Sequence, residues 1–101
     1  MTTPASVVGD RLDTLAKLGF YTRLFEIAKD HHATLEEVLA PGKQRRVINA
    51  RFACWSYLRG LTRNDKPVLS STDIGDLFGV DHTTVLNGVA KHRARTKKEA
   101  A

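Results

Sequence analysis

Ser71-Thr72-Asp73-Ile74-Gly75-Asp76-Leu77-Phe78-Gly79-Val80-Asp81-His82-Thr83-Thr84-Val85-Leu86-Asn87-Gly88-Val89 is the stretch on which the fold turns. Two helices that cross at close range need an apolar residue and then a very small one at the crossing, and Ile74-Gly75 supplies that pair. Phe78 is expected to close the first helix against a core. Gly79 stands where the chain must take a left-handed conformation, which glycine adopts without steric penalty. Val80 is expected to tuck beneath the turn, while Val85, Leu86 and Val89 pin a second helix from one side. The pattern predicts a helix-turn-helix over 71–95, although two antiparallel core helices joined by a glycine turn would carry part of it.

Upstream, the apolar residues also recur at helical spacing. Val7, Val8, Leu12, Leu15, Ala16 and Leu18 form a stripe that stops at Gly19, a suitable C-terminal cap. A second helix is expected from about Tyr21 to His31, with Leu24, Phe25, Ile27 and Ala28 as its apolar face. Thr34-Leu35-Glu36-Glu37 reads as a capping box opening a short helix that ends at Pro41-Gly42. A long helix follows from about Val47 to Leu61, with Val47, Ala50, Cys54, Tyr57, Leu58 and Leu61 toward the core. Trp55 reads as a partly buried packing residue. Thr62 to Ser70, with Asn64-Asp65 and Pro67, reads as the longest loop, and residues 96–101 as a frayed basic tail. With no sustained alternation of β-branched residues, the expected class is all-α, a bundle of about five to six helices in a single domain of 101 residues.

Charge divides along the chain. Residues 1–40 hold four Lys/Arg against six Asp/Glu, and residues 41–101 hold twelve against five, so the positive field belongs to the second part. Such a field attracts polyanions, and equally makes a soluble basic surface. No run approaches the roughly 20 apolar residues of a membrane span, so a cytoplasmic protein is expected. Cys54 is the single cysteine, which leaves no intramolecular disulfide and reads as a small core residue. His31-His32 and Glu36-Glu37 lack the spacing of a metal site, and no Gly-x-Ser-x-Gly elbow is present; neither a metal, a cofactor nor an enzymatic activity is expected.

Residues 27–62 and 73–91 resemble the C-terminal DNA-binding domain (domain IV) of the bacterial replication initiator DnaA, a TrpR-like helical fold. The hallmark run stands here as Gly79-Val80-Asp81-His82-Thr83-Thr84-Val85. Ile27-Ala28-Lys29, Leu35-Glu36-Glu37-Val38-Leu39 and Arg45-Arg46-Val47 agree with the family's upstream elements. The resemblance implies that Asp81, His82, Thr83 and Thr84 lie in the major groove, where Asp can accept from cytosine N4 and a Thr methyl can meet a thymine methyl. Asp81 is also suited to cap the recognition helix. The resemblance further implies backbone or minor-groove contact by Lys43, Arg45, Arg46, Asn49, Arg51 and Arg59. Asn49 stands where the family places a minor-groove arginine, so the resemblance implies that minor-groove readout is either weakened or reassigned to Arg45 or Arg46. The turn lacks a basic residue before Asp81, and the loop from Thr62 to Ser71 is about five residues longer than the family's. No phosphate-binding loop of an ATPase is present.

The expected function is sequence-specific binding of double-stranded DNA, one protomer per site, by a nucleoid-associated transcriptional, phage or mobile-element regulator. An origin-binding replication accessory factor is the alternative within that class. An adaptor that docks a protein partner through residues 5–31 is the alternative outside it. Neither a membrane nor a small-molecule substrate is expected as partner.

Overall fold

In a computed structural model, which describes residues 5–40 and 44–100, the chain divides into two compact units, Met1–Arg51 and Phe52–Ala101. The protein is mostly helical, as its periodicity demands. Among the described residues no helix is long and apolar enough to cross a membrane.

The first unit holds α1 (Ala5–Leu18), α2 (Tyr21–Asp30), α3 (Leu35–Leu39) and the opening turns of α4 (Arg45–Gly60). Gly19 ends α1 at φ 83°, and Phe20 N–H reaches back to the Leu15 carbonyl at 2.9 Å, so the glycine cap read from sequence is the one formed. At the end of α2 the same geometry falls to His32, at φ 59°, with Ala33 N–H bonded to the Ala28 carbonyl. Thr34 and Glu37 form the expected capping box: the Thr34 hydroxyl accepts from Glu37 N–H at 3.1 Å, and the Glu37 carboxylate accepts from Thr34 N–H at 3.0 Å.

Leu15, Leu24, Ala28, Leu35, Val38, Leu39, Val47 and Ala50 are the buried centre of this unit. α3 is only five residues long, and its C-terminal carbonyls are satisfied by two arginines. Arg11 donates to the Leu39 carbonyl at 2.6 Å, and Arg51 donates to those of Val38 and Ala40 at 3.0 and 2.6 Å. A positive guanidinium at this end also meets the negative pole of the short helix.

Three apolar residues expected on inward stripes face solvent instead: Ala16, Leu18 and Phe25. Helical spacing fixes a stripe about 100° wide, but a five-residue partner such as α3 covers only part of it. Phe25 stacks on exposed Tyr21 with ring centroids 6.3 Å apart. The side chains of Val7 and Val8, together with Pro41-Gly42, lie outside the described residues.

The second unit holds the remainder of α4, strands β1 (Thr62–Arg63) and β2 (Lys66–Pro67), α5 (Ser71–Phe78) and α6 (His82–Ala100). α4 starts two residues before the expected Val47. The stretch read as a plain loop contains a two-stranded antiparallel hairpin with Thr62 opposite Pro67 and Arg63 opposite Lys66. Its physical basis is Asn64-Asp65, both at positive φ (55° and 65°), the backbone of a two-residue turn that matches strand twist. Val68 N–H adds a ladder bond to the Leu61 carbonyl.

The tail expected to fray is helical through Ala100. Thr96 bonds its hydroxyl to the His92 carbonyl within that helix. Trp55 is fully buried rather than partly so, tilted against Phe52 and edge-on to Phe78 with centroids 5.5 and 5.9 Å away. Among the described residues its indole N–H has no hydrogen-bond partner, and an N–H left unpaired costs about 1–3 kcal/mol that aromatic packing must offset. Cys54 is buried in the core, as read.

Candidate nucleic-acid interface

The site is built on α5, the turn and the start of α6. Ser70 caps α5 through a second capping box: its hydroxyl accepts from Asp73 N–H at 3.1 Å, and Asp73 accepts from Ser70 N–H at 3.1 Å. α5 stops at Gly79, which is left-handed at φ 70° and ψ 35°. Val80 N–H then closes back on the Gly75 carbonyl at 2.9 Å.

Gly75 is buried, and a Cβ built there would collide with the Val80 carbonyl oxygen and lie 3.4 Å from the Asp81 carbonyl carbon. The small residue at this position therefore allows the chain entering α6 to cross directly over α5. Ile74 and Phe78 are buried and Val80 half-buried, which fits their expected structural roles.

α6 begins with Val85 N–H bonded to the Asp81 carbonyl at 3.2 Å. Val85 and Val89 are buried, and the same inner face includes Gly88, which sequence reasoning passed over. A Cβ at Gly88 would stand 2.6 Å from Trp55 Cε3 and 2.7 Å from Phe52 Cδ1, so α6 packs flush on the aromatic surface of α4. Leu86 does not pin the helix as its apolar character suggested; it is 43% exposed. The rotation set by Val85, Gly88 and Val89 carries position 86 away from the core.

That rotation defines an outer face. Asp81, His82, Thr83 and Thr84 are all exposed at the N-terminal end of α6. Thr83, Asn87, Ala90 and Ala94, at i, i+4, i+7 and i+11, line one exposed stripe, flanked by Leu86 and Lys91. Asn87 went unassigned in the sequence reading, yet an exposed Asn one turn beyond Thr83 is suited to bidentate pairing with adenine N6/N7. The signal that finds it is the 3.6-residue spacing from Thr83, once the buried face is known.

An open notch beside this face is lined by Gly75, Asp76, Gly79, Val80, Asp81 and Thr84. In charge, the end of the site is not basic: from Pro67 to Ala90 there is no Lys or Arg, while Asp73, Asp76 and Asp81 fall within it. Lys91, Arg93 and Arg95, all exposed, supply positive charge farther along α6.

Of the other residues expected to contact DNA, Arg45, Arg46, Asn49, Arg51 and Arg59 lie on α4, in different surroundings. Arg45 is exposed. Arg46 pairs with Glu37 at 2.7 Å and donates to the His32 carbonyl at 2.8 Å. The Arg46 guanidinium, with help from Thr34 N–H, holds the Glu37 carboxyl down to about 2. Arg51 is engaged with the end of α3, as described, and Asn49 is half-buried in the first unit. Arg59 is half-buried in the second, and Lys43 lies outside the described residues. Among the described residues no group of His, Cys, Asp or Glu is arranged to hold a metal ion.

No family model, curated protein or solved structure matches the chain.

Proposed function

We propose that this chain binds double-stranded DNA sequence-specifically, with α5, the Gly79 turn and α6 as a helix-turn-helix of the kind found in domain IV of DnaA. The carrying observation is the two-sidedness of α6. Its inner face is fixed by Val85, Gly88 and Val89, and its outer face presents Asp81, His82, Thr83 and Thr84 to solvent with Asn87 behind them. A recognition helix must meet both conditions, because base edges discriminate only against side chains held in a fixed register by packing on the far side. The outer face carries acceptors, donors and methyl groups, the set that reads the major groove.

The positive field of residues 41–101 would supply the sequence-independent part of the affinity. In this reading the protein is non-enzymatic, associates with the nucleoid and acts as a transcriptional or mobile-element regulator. One protomer occupies each site.

Selection from a random duplex pool tests this. A single short motif should be enriched, without two-fold symmetry, and it should compete better than single-stranded DNA or RNA of the same sequence. Failure to enrich any duplex sequence would end the proposal.

A further inference from the structure

The hairpin of β1 and β2 was invisible as such in the sequence, and its chemistry is not used by anything described above. Arg63 and Lys66 are directly opposed across the ladder, so their side chains leave the same face. Both are exposed, and among the described residues neither pairs with a carboxylate. Like charges in that relation repel each other, and the turn holds them there: Asn64 and Asp65 fix the tip with positive φ, and the ladder bond from Val68 to Leu61 fixes the base. The arrangement is unfavourable alone and favourable beside an anion.

The distribution of charge in this unit says which anion. Between Lys66 and Lys91 there is no cation, and three aspartates fall in the segment that carries the proposed base-reading residues. A duplex lying against α6 presents a phosphate every few ångströms on both flanks, so charge neutralisation has to come from either side of that acidic stretch. Lys91, Arg93 and Arg95 follow it; Arg63 and Lys66 immediately precede it. Only Val68-Leu69 separates β2 from the Ser70 cap, which keeps Pro67 within about 14 Å of the first residue of α5.

We infer that the Arg63–Lys66 hairpin is a second contact of this protein with duplex DNA, gripping backbone phosphates beside the segment read by α6. The inference rests on the proposed DNA-binding reading and adds a surface to it. Asp65, between the two cations, opposes the contact and keeps the tip from binding polyanions indiscriminately.

The test is equilibrium binding of the full-length chain to its selected duplex and to a random duplex, from about 50 to 200 mM salt, for wild type and the double variant Arg63→Gln/Lys66→Gln. Two lost phosphate contacts lower the salt slope by about two units. The advantage of wild type over the variant should therefore shrink by about tenfold across that range, equally on both duplexes. Asp65→Asn should tighten binding to both. Circular dichroism and the retained sequence preference of the variant show that α5 and α6 are intact. An unchanged salt slope, or a loss confined to the selected duplex, overturns the hairpin contact. If wild type binds neither duplex, the DNA reading itself has failed, and this is seen before any variant is made.

Discussion

Two glycine-to-alanine changes, at Gly88 and Gly9, should move stability in opposite directions, although their chemistry is the same. Replacing Gly in a helix by Ala favours the helix by about 1 kcal/mol, mainly through unfolded-chain entropy. At Gly9 nothing lies within 4 Å of the added methyl, so the gain is kept. At Gly88 the methyl meets Trp55 Cε3 at 2.6 Å and Phe52 Cδ1 at 2.7 Å, whereas non-bonded carbons rest at about 3.5 Å or more. The helix and two aromatic rings must separate by about 0.8 Å, and Trp55, being fully buried, has no free volume to retreat into. Overpacking costs about 1–3 kcal/mol, and with two rings displaced at once the upper part of that range, about 2–3 kcal/mol, applies; less the propensity gain of about 1 kcal/mol, this leaves Gly88→Ala about 1–2 kcal/mol less stable. In a chain of this size each kcal/mol is about 4–8 °C in Tm. Urea unfolding followed by the fluorescence of Trp55, which lies in the perturbed contact, reads the effect directly, and circular dichroism reads Gly9→Ala. A Gly88→Ala protein as stable as wild type would refute the flush packing of α6 on α4, and with it the rotation that turns Thr83 and Asn87 outward.

Three further outcomes follow from the same contacts. Arg51→Ala should destabilise the first unit by about 2–4 kcal/mol, because charge-assisted bonds to the Val38 and Ala40 carbonyls are lost together; normal stability with uniformly weaker DNA binding would return Arg51 to the role of phosphate contact. The Glu37 carboxyl is depressed from 4.5 to about 2 by Arg46 and Thr34, so its contribution is complete above 4.5 and is lost as pH falls toward 2. A carboxyl-detected titration should find Glu37 in that range in wild type and clearly higher in Arg46→Met, though still below 4.5 because the Thr34 bonds remain; a wild-type midpoint near 4.5 would show that the pair is not formed in solution. Asn87→Ala should leave stability unchanged or slightly raised and relax preference at one base pair by about 1–3 kcal/mol, read by binding to single-base variants of the selected site; an unaltered preference profile would remove Asn87 from the reading face.

The elements legible in the sequence are those whose signal is local. The Thr34/Glu37 box, Gly19, and the Ile74-Gly75 … Gly79 frame are set by caps, sterics and left-handed turns within a few residues, and each forms as read. Leu18, Phe25 and Leu86 were misread because hydrophobicity states a preference for burial, while exposure depends on what the neighbouring helices cover. The hairpin escaped because two-residue strands carry no periodicity; its signal was Asn64-Asp65 alone. Arg46 and Arg51 illustrate the remaining limit. A basic residue on a long helix has the same sequence whether it meets a phosphate, a carboxylate or the carbonyls at the end of α3, and only tertiary contact separates these. Asn87 became visible once Val85, Gly88 and Val89 fixed the buried side of α6.

The central claim, that the exposed start of α6 reads bases, is tested most directly by measuring the affinity of Thr83→Ala for the selected duplex and for random duplex under one salt condition. Thr83 is exposed, so the substitution leaves the core untouched. The account requires a loss of about 1–3 kcal/mol on the selected duplex with random-duplex affinity nearly unchanged. An equal loss on both, or none on either, would contradict it.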